Sequence, residues 1–214
     1  MDISWLGHAC IRIRTQQTTL IMDPVDRAAG FDMGRPTAEV VTVSNPHPYH
    51  SNVRGVRGDP LTIEGPGEYE SRGVQITGIA TYLTAPVEGG KPGRNTAFVI
   101  ESEELRLAHL GGLGAPLTAE QSEQLSNIDI LILPIGGGAT IDAVAAARTV
   151  RVLEPSIVIP VHYPVEGDAS GPDGPLARFV AAVGTEPQQA QPRVTLQRRG
   201  LTETLQVLLL EPRG

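Results

Sequence analysis

Five histidines carry the chemical promise of this 214-residue chain: His8, His47, His50, His109 and His162. Each follows or closes a short apolar stretch of the kind that forms a strand. His8 comes after Trp5-Leu6-Gly7, and His47 and His50 follow a Val-rich run ending at Ser44. His109 closes Leu105-Arg106-Leu107-Ala108, and His162 closes Ile157-Val158-Ile159-Pro160-Val161. Strand ends converge on one rim of a sheet sandwich, so one pocket could hold all five. Imidazoles in such a place are the usual ligands of first-row metal ions. A partly buried histidine bonded to backbone is the plainer alternative for any one of them. The single cysteine, Cys10, lies in the alternating stretch Ala9-Cys10-Ile11-Arg12-Ile13-Arg14. It reads as a small apolar strand residue rather than a nucleophile, and one cysteine can build neither a disulfide within the chain nor a cysteine-based zinc site.

The elements that must position these residues follow from periodicity and punctuation. Strands are expected at residues 3–6, 10–14, 18–23, 39–44, 60–64, 73–80, 95–101 and 105–110, the last two paired across a Ser102-Glu103-Glu104 turn. Thr118-Ala119-Glu120-Gln121 fits a capping box that opens a helix running to about Ser126. Residues 128–134 and 156–162 are nearly all apolar, as strands buried on both faces are. Between them residues 140–153 predict a helix with Thr140 as N-cap and Ile141, Val144, Ala145 and Val152 on one face, stopped by Pro155. Leu176, Phe179, Val180 and Val183 stand at helical spacing and Gly184 closes that helix; a last strand spans 205–210. Residues 84–94, 164–174 and 185–192 read as loops. The order is strand-rich first and βαβ-like later, which predicts an α/β fold, two sheets covered by helices, in a single domain over 1–214.

Composition narrows the function. Hydrophobic residues make up 40% and charged residues 19%, an ordinary globular balance. The net charge of −7, with no basic run beyond Arg198-Arg199, argues against a nucleic-acid partner. No apolar run approaches the ~20 residues of a membrane span. The start Met1-Asp2-Ile3-Ser4-Trp5 has neither a basic nor an apolar leader region. A cytoplasmic chain with no membrane partner is expected; a small-molecule ligand and a homo-oligomer stay open.

Seven segments occur in a telling order. They are Leu6-Gly7-His8-Ala9, Met22-Asp23-Pro24, Val43-Ser44-Asn45-Pro46-His47-Pro48-Tyr49-His50, Gly65-Pro66-Gly67-Glu68-Tyr69-Glu70, His109-Leu110-Gly111-Gly112, Pro134-Ile135-Gly136-Gly137-Gly138 and Pro160-Val161-His162-Tyr163. Together they resemble the metallo-β-lactamase superfamily, most closely its short branch of zinc-dependent hydrolases related to L-ascorbate-6-phosphate lactonase. The resemblance implies an αββα sandwich. It also implies a third motif reading His-x-His-x-Asp-His, whose residues help hold two metal ions. Here that motif carries Asn45 in place of the first histidine and Tyr49 in place of the aspartate. Leu83 falls in the stretch where a further histidine is implied, and Gly112 where a bridging aspartate is implied. One metal site would keep only His47; the other would keep His50 and His162.

Two expectations follow. The first is a hydrolase-like fold whose dinuclear site is largely lost, without a metal cofactor, catalytically impaired or repurposed for binding. The second is an active mononuclear hydrolase of a small ester, lactone or phosphoester, with one zinc, manganese or iron ion on His47, His50 and His162. In either case His8, Asp23 and His109 resemble supporting groups of the pocket. Asn45, Tyr49, Leu83 and Gly112 stand in vacated positions, and Glu68 could face the pocket.

Overall fold

The computed structural model describes residues 1–86, 92–165 and 171–213. Its first sheet is built from β1 (Asp2–Gly7), β2 (Cys10–Arg14), β3 (Thr19–Met22), β4 (Val40–Val43), β5 (Leu61–Glu64) and a short return strand, β12 (Val194–Thr195), in the order β12-β1-β2-β3-β4-β5. The second sheet holds β6 (Gly67–Ser71), β7 (Val74–Pro86), β8 (Pro92–Ser102), β9 (Leu105–His109), β10 (Ile130–Pro134), β11 (Ile157–Val161) and β13 (Gln206–Val207), in the order β13-β11-β10-β9-β8-β7-β6. Three helices, α1 (Ala119–Gln124), α2 (Ala143–Leu153) and α3 (Pro175–Val183), complete the α/β sandwich.

Period-two alternation sorts the side chains into layers. In β10, Ile130 and Ile132 face the core between the sheets, while Leu131 and Leu133 face the helices. In β11, Ile157, Ile159 and Val161 point inward and Val158 outward. Both faces of these parallel strands are buried, which is why their sequences are continuously apolar. Trp5, Ile11, Ile13, Leu20 and Met22 fill the same inter-sheet core from the first sheet. That sheet's outer face, with Leu6, Cys10, Ile21, Val41 and Val43, is covered by Val25, Met33, Ala38 and Val56 from irregular segments rather than by a long helix.

Several expectations are borne out and some are corrected. The capping box at Thr118 and Gln121 is present, Gly184 closes α3 in the left-handed region, and β8 pairs with β9 across a turn whose Glu103 and Glu104 have positive φ. The α2 face was misjudged. Its N-cap is Asp142, whose carboxylate accepts from the Ala145 amide, not Thr140. The buried stripe is Ala143, Ala146, Ala147, Val150 and Leu153, while Val144 and Val152 are 45% and 60% exposed. Small alanines let the helix lie close on the sheet, and a reading weighted toward Val and Ile missed them. Residues 84–94 are not a loop throughout, since β7 extends to Pro86 and β8 begins at Pro92; residues 87–91 lie outside those described. The strand expected at 205–210 shortens to Gln206–Val207 with isolated bridges at Val207 and Leu210, and 185–192 carries their partners.

Strand direction places the site. β1 and β3 each run antiparallel to β2, and β4 runs parallel to β3, so the C-terminal ends of β1, β3 and β4 share one rim. β9, β10 and β11 are mutually parallel. His8, Asp23, Ser44, His109 and His162 each lie at one of these ends.

Candidate metal centre

Three residues that end strands at this rim have left-handed backbone: His8 (φ 52°), Asp23 (φ 49°) and His162 (φ 56°). That region is unfavourable for residues other than glycine, by about 1 kcal/mol or more, and such strain concentrates where function needs it. It turns each chain sharply as it leaves its strand. The His8 carbonyl then accepts two hydrogen bonds, from the Trp5 indole at 2.8 Å and from the His162 backbone amide at 2.9 Å. These bonds tie the ends of β1 and β11, in different sheets, to each other. His50 comes from the turn after β4, where its amide donates to the His47 carbonyl at 2.8 Å.

The outcome is a cluster. One nitrogen each from His8, His50 and His162 lies within 4.8 Å of the others. The ring centres are 3.9 Å apart for His8 and His162, 5.0 Å for His8 and His50, and 5.6 Å for His50 and His162. Asp23 sits behind the cluster, fully buried, with its Oδ2 2.7 Å from His50 Nδ1. It also accepts from the Ser44 amide at 2.7 Å and the Ser44 hydroxyl at 2.6 Å. Burial alone would raise its pKa, but the charge and hydrogen bond of His50, the charge of His109 and the Ser44 bond hold the carboxyl below its usual range. The ionised carboxylate takes the Nδ1 proton of His50 as a hydrogen bond and leaves Nε2 as the donor nitrogen. Carboxylate-backed histidines of this kind are the usual ligands of protein metal sites. Burial, followed by the neighbouring imidazoles, pushes His8 down to about 2 and His162 down to about 4. Both are therefore neutral, with lone pairs available, across the physiological range.

Comparisons with known proteins identify the family. The family model described as a beta-lactamase superfamily domain matches residues 2–162. The chain belongs to the β-lactamase superfamily. A UPF0173 metal-dependent hydrolase from Methanopyrus kandleri is 25% identical over 211 residues, covering 78% of this chain and 88% of its own. Another from Methanoregula boonei is 26% identical over 200 residues, covering 80% and 87%. A crystal structure from Thermotoga maritima, described as a candidate zinc-dependent hydrolase of the metallo-β-lactamase superfamily, superposes with a TM-score of 0.75 at 29% identity, covering 98% of this chain and 99% of its own.

Against the superfamily pattern the expected site residues divide. His50 and His162 come together, and the residue that joins them is His8 rather than His47. The His47 side chain is exposed, its ring 6.5 Å from that of His50, and its Nδ1 accepts from the Tyr49 amide. Tyr49 packs its ring edge-on against His8 at 5.5 Å, and its hydroxyl donates outward to the Ala28 carbonyl at 3.2 Å. His109 lies fully buried beneath, its Nε2 donating to the Ala9 carbonyl at 2.9 Å. Glu68 is exposed on β6, paired with Thr77, away from the cluster. Burial pushes the Cys10 thiol up to about 12, in keeping with a packing role.

Asn45, Leu83 and Gly112 do converge, around Asn95, which the sequence reading missed. A Cβ on Gly112 would lie 3.0 Å from Asn45 Nδ2, 3.0 Å from Leu83 Cδ2 and 3.4 Å from Asn95 Oδ1. The buried Asn95 side chain accepts from the Gly112 amide at 2.8 Å and donates to Thr81 Oγ1 at 2.7 Å and the Leu110 carbonyl at 3.0 Å. Asn45 Nδ2 donates to Ser44 Oγ at 3.0 Å. The signal for Asn95 was an amide opening a strand otherwise rich in Ala, Phe, Val and Ile.

The cluster opens on a cavity of about 580 Å³ lined by His8 and His162 together with Phe31, Tyr163, Val165 and the Gly136-Gly137 turn. Gly136 is required by close approach: a Cβ there would meet the His162 carbonyl oxygen at 2.2 Å.

Proposed function

We propose that the chain is a metal-dependent hydrolase that holds one divalent ion on His8, His50 and His162 and acts on a small ester, lactone or phosphoester. The observation that carries this reading is the convergence of three imidazole nitrogens within 4.8 Å. Three features fit an ion there. His8 Nδ1 is buried and has no hydrogen-bond partner among the described residues. His8 and His162 stay neutral, and Asp23 orients His50. Ligands about 2.1 Å from a tetrahedral ion stand roughly 3.4 Å apart, a closure that imidazole rotation can supply. Three protein ligands with one position open is the usual catalytic arrangement.

A divalent ion in this place would supply Lewis-acid polarisation of the scissile group and acidify a water molecule. The chain's own residues do the rest. His8 and His162 also form one wall of the cleft, so a substrate bound there lies against the cluster. Asp23 fixes the tautomer of His50. Ser44 donates twice to Asp23, and Asn45 donates to the Ser44 hydroxyl, which keeps the carboxylate ordered.

A second ion does not fit where the superfamily pattern implies one. The space among residues 45, 83 and 112 holds two carboxamides and a leucine methyl, and Asn45 presents its NH₂ there. Among the described residues, the three atoms nearest a Cβ built on Gly112 include no carboxylate oxygen. This favours a mononuclear over a dinuclear site, and it supports one alternative. With the aspartate of the motif replaced by Tyr49, the chain could bind metal and ligand without turnover. Metal analysis of protein purified without chelator, together with ester hydrolysis by wild type and His162→Ala, separates these readings. Hydrolysis requires about one ion per chain and the loss of both metal and activity in His162→Ala. Metal without hydrolysis favours the binding protein. No metal sinks both.

A further inference from the structure

The walls of the cleft beside His8 and His162 select by polarity, and the inference drawn from them rests on the metal reading above. Its volume of about 580 Å³ is that of a small-ligand pocket. Among the described residues that line it, the two histidines carry the only titratable groups besides the Tyr163 phenol; no Lys, Arg, Asp or Glu contributes. Phe31 packs its ring over Gly7, where a Cβ would lie 2.3 Å from it, and Tyr163 packs on Trp5 with ring centres 5.3 Å apart. Both walls are thereby fixed. Two arginines next in sequence to residues of the cleft or its flanking turn are engaged elsewhere. Arg27 is paired with Asp32 at 2.7 Å, and Arg213 lines a different cavity with Arg12 and Arg193. The α2 N-terminus, which could otherwise receive an anion, is occupied by its own Asp142.

Beyond an ion on the histidines, which takes one oxygen, a phosphate or carboxylate is held by a guanidinium, an ammonium or open backbone amides that replace the water on its other oxygens. This cleft supplies no guanidinium or ammonium from its described walls, in a chain of net charge −7. We propose that the substrate is an uncharged ester or lactone whose apolar part lies between Phe31, Tyr163 and Val165, and that phosphorylated substrates are excluded. In the reaction water oxygen adds to the acyl carbon and the acyl carbon–oxygen bond breaks. The leaving oxygen takes a proton, so an ester gives a carboxylic acid and an alcohol, and a lactone opens to a single hydroxy acid.

The test uses the full chain loaded with one equivalent of zinc. Initial rates are compared for p-nitrophenyl butyrate and p-nitrophenyl phosphate, and saturation binding is measured with the neutral fluorophore N-phenyl-1-naphthylamine. The proposal expects kcat/KM at least about 100-fold higher for the butyrate, on the scale by which mismatched polar groups are rejected. It also expects fluorophore affinity to fall at least about tenfold in Val165→Asp and in Ala29→Glu, with zinc content and circular dichroism unchanged, because each sets a charge on a cleft wall that a neutral apolar ligand must cover. Naphthylamine binding that survives chelation while no ester is cleaved sinks the hydrolase reading and upholds the apolar cleft. Phosphate turnover equal to or above that of the butyrate, or fluorophore binding indifferent to both variants, overturns the proposal.

Discussion

Asp23 accepts two hydrogen bonds from Ser44 and one from His50 Nδ1, so a single buried carboxylate fixes both the turn after β4 and one histidine of the cluster. Asp23→Asn keeps the shape but can present its NH₂ to a nitrogen that is itself a donor. Metal affinity is expected to fall about 10- to 100-fold, the usual effect of losing such a partner; chelator-competition titration with zinc measures it, and unchanged affinity would show that His50 is oriented by something else. At this scale the sequence was legible wherever a residue type carried the signal. Histidines at strand ends, the aspartate before Pro24 and the substitutions Asn45 and Tyr49 could all be picked out from order alone. The choice of His8 over His47 could not. It depends on the left-handed backbone at His8 and on two hydrogen bonds to its carbonyl, from residues 3 and 154 positions away. Proximity in sequence made His47 look like the partner of His50, whereas the turn points its ring to solvent.

The elements place the clustered histidines through tight approaches between strand ends. Gly136, just past β10, lies against the His162 carbonyl, and its φ is not in the left-handed region, so only space is at stake. Gly136→Ala is expected to push the end of β11 outward and weaken metal binding by more than tenfold, while the helices stay folded. Equal zinc affinity in wild type and variant, read by the same titration, would contradict this. Phe179 is the fully buried ring of α3 and packs with α2 against the second sheet. Phe179→Ala is expected to cost about 3–5 kcal/mol in urea unfolding with metal stoichiometry unchanged; a cost below about 1 kcal/mol would mean that α3 is not part of the core. Strand positions were readable because buried parallel strands are continuously apolar. The α2 face was not, because alanine carries little hydrophobic weight in a pattern even where it sets how closely a helix packs.

At the scale of the whole molecule, acid stability follows from the buried histidines. Burial is the largest influence on His8, His109 and His162 and lowers all three, to about 2 for His8 and about 4 for His162. Unfolding returns each to about 6.5, so below that pH the unfolded chain binds more protons than the native one. Stability of the metal-free protein is therefore complete above about pH 7 and falls as pH drops through 6.5, by up to about 1.4 kcal/mol per pH unit for each histidine. Asp23, held low, adds a loss only as pH falls below its ordinary value of 3.8. Urea midpoints of chelator-treated protein at pH 7.5, 6.0 and 5.0 check this; a flat series would contradict neutral buried imidazoles. The two-sheet architecture and superfamily were legible from seven ordered segments. The number of ions was not, since it depends on how Asn45, Leu83, Asn95 and Gly112 fill one space, and Asn95 carries no motif. That number is the central claim. Zinc stoichiometry, measured on wild type, His8→Ala and His47→Ala after reconstitution and removal of excess metal, tests it directly. About one ion per chain is expected in wild type and His47→Ala, and none retained in His8→Ala. Two ions in wild type, or an ion lost with His47 and kept without His8, would contradict it.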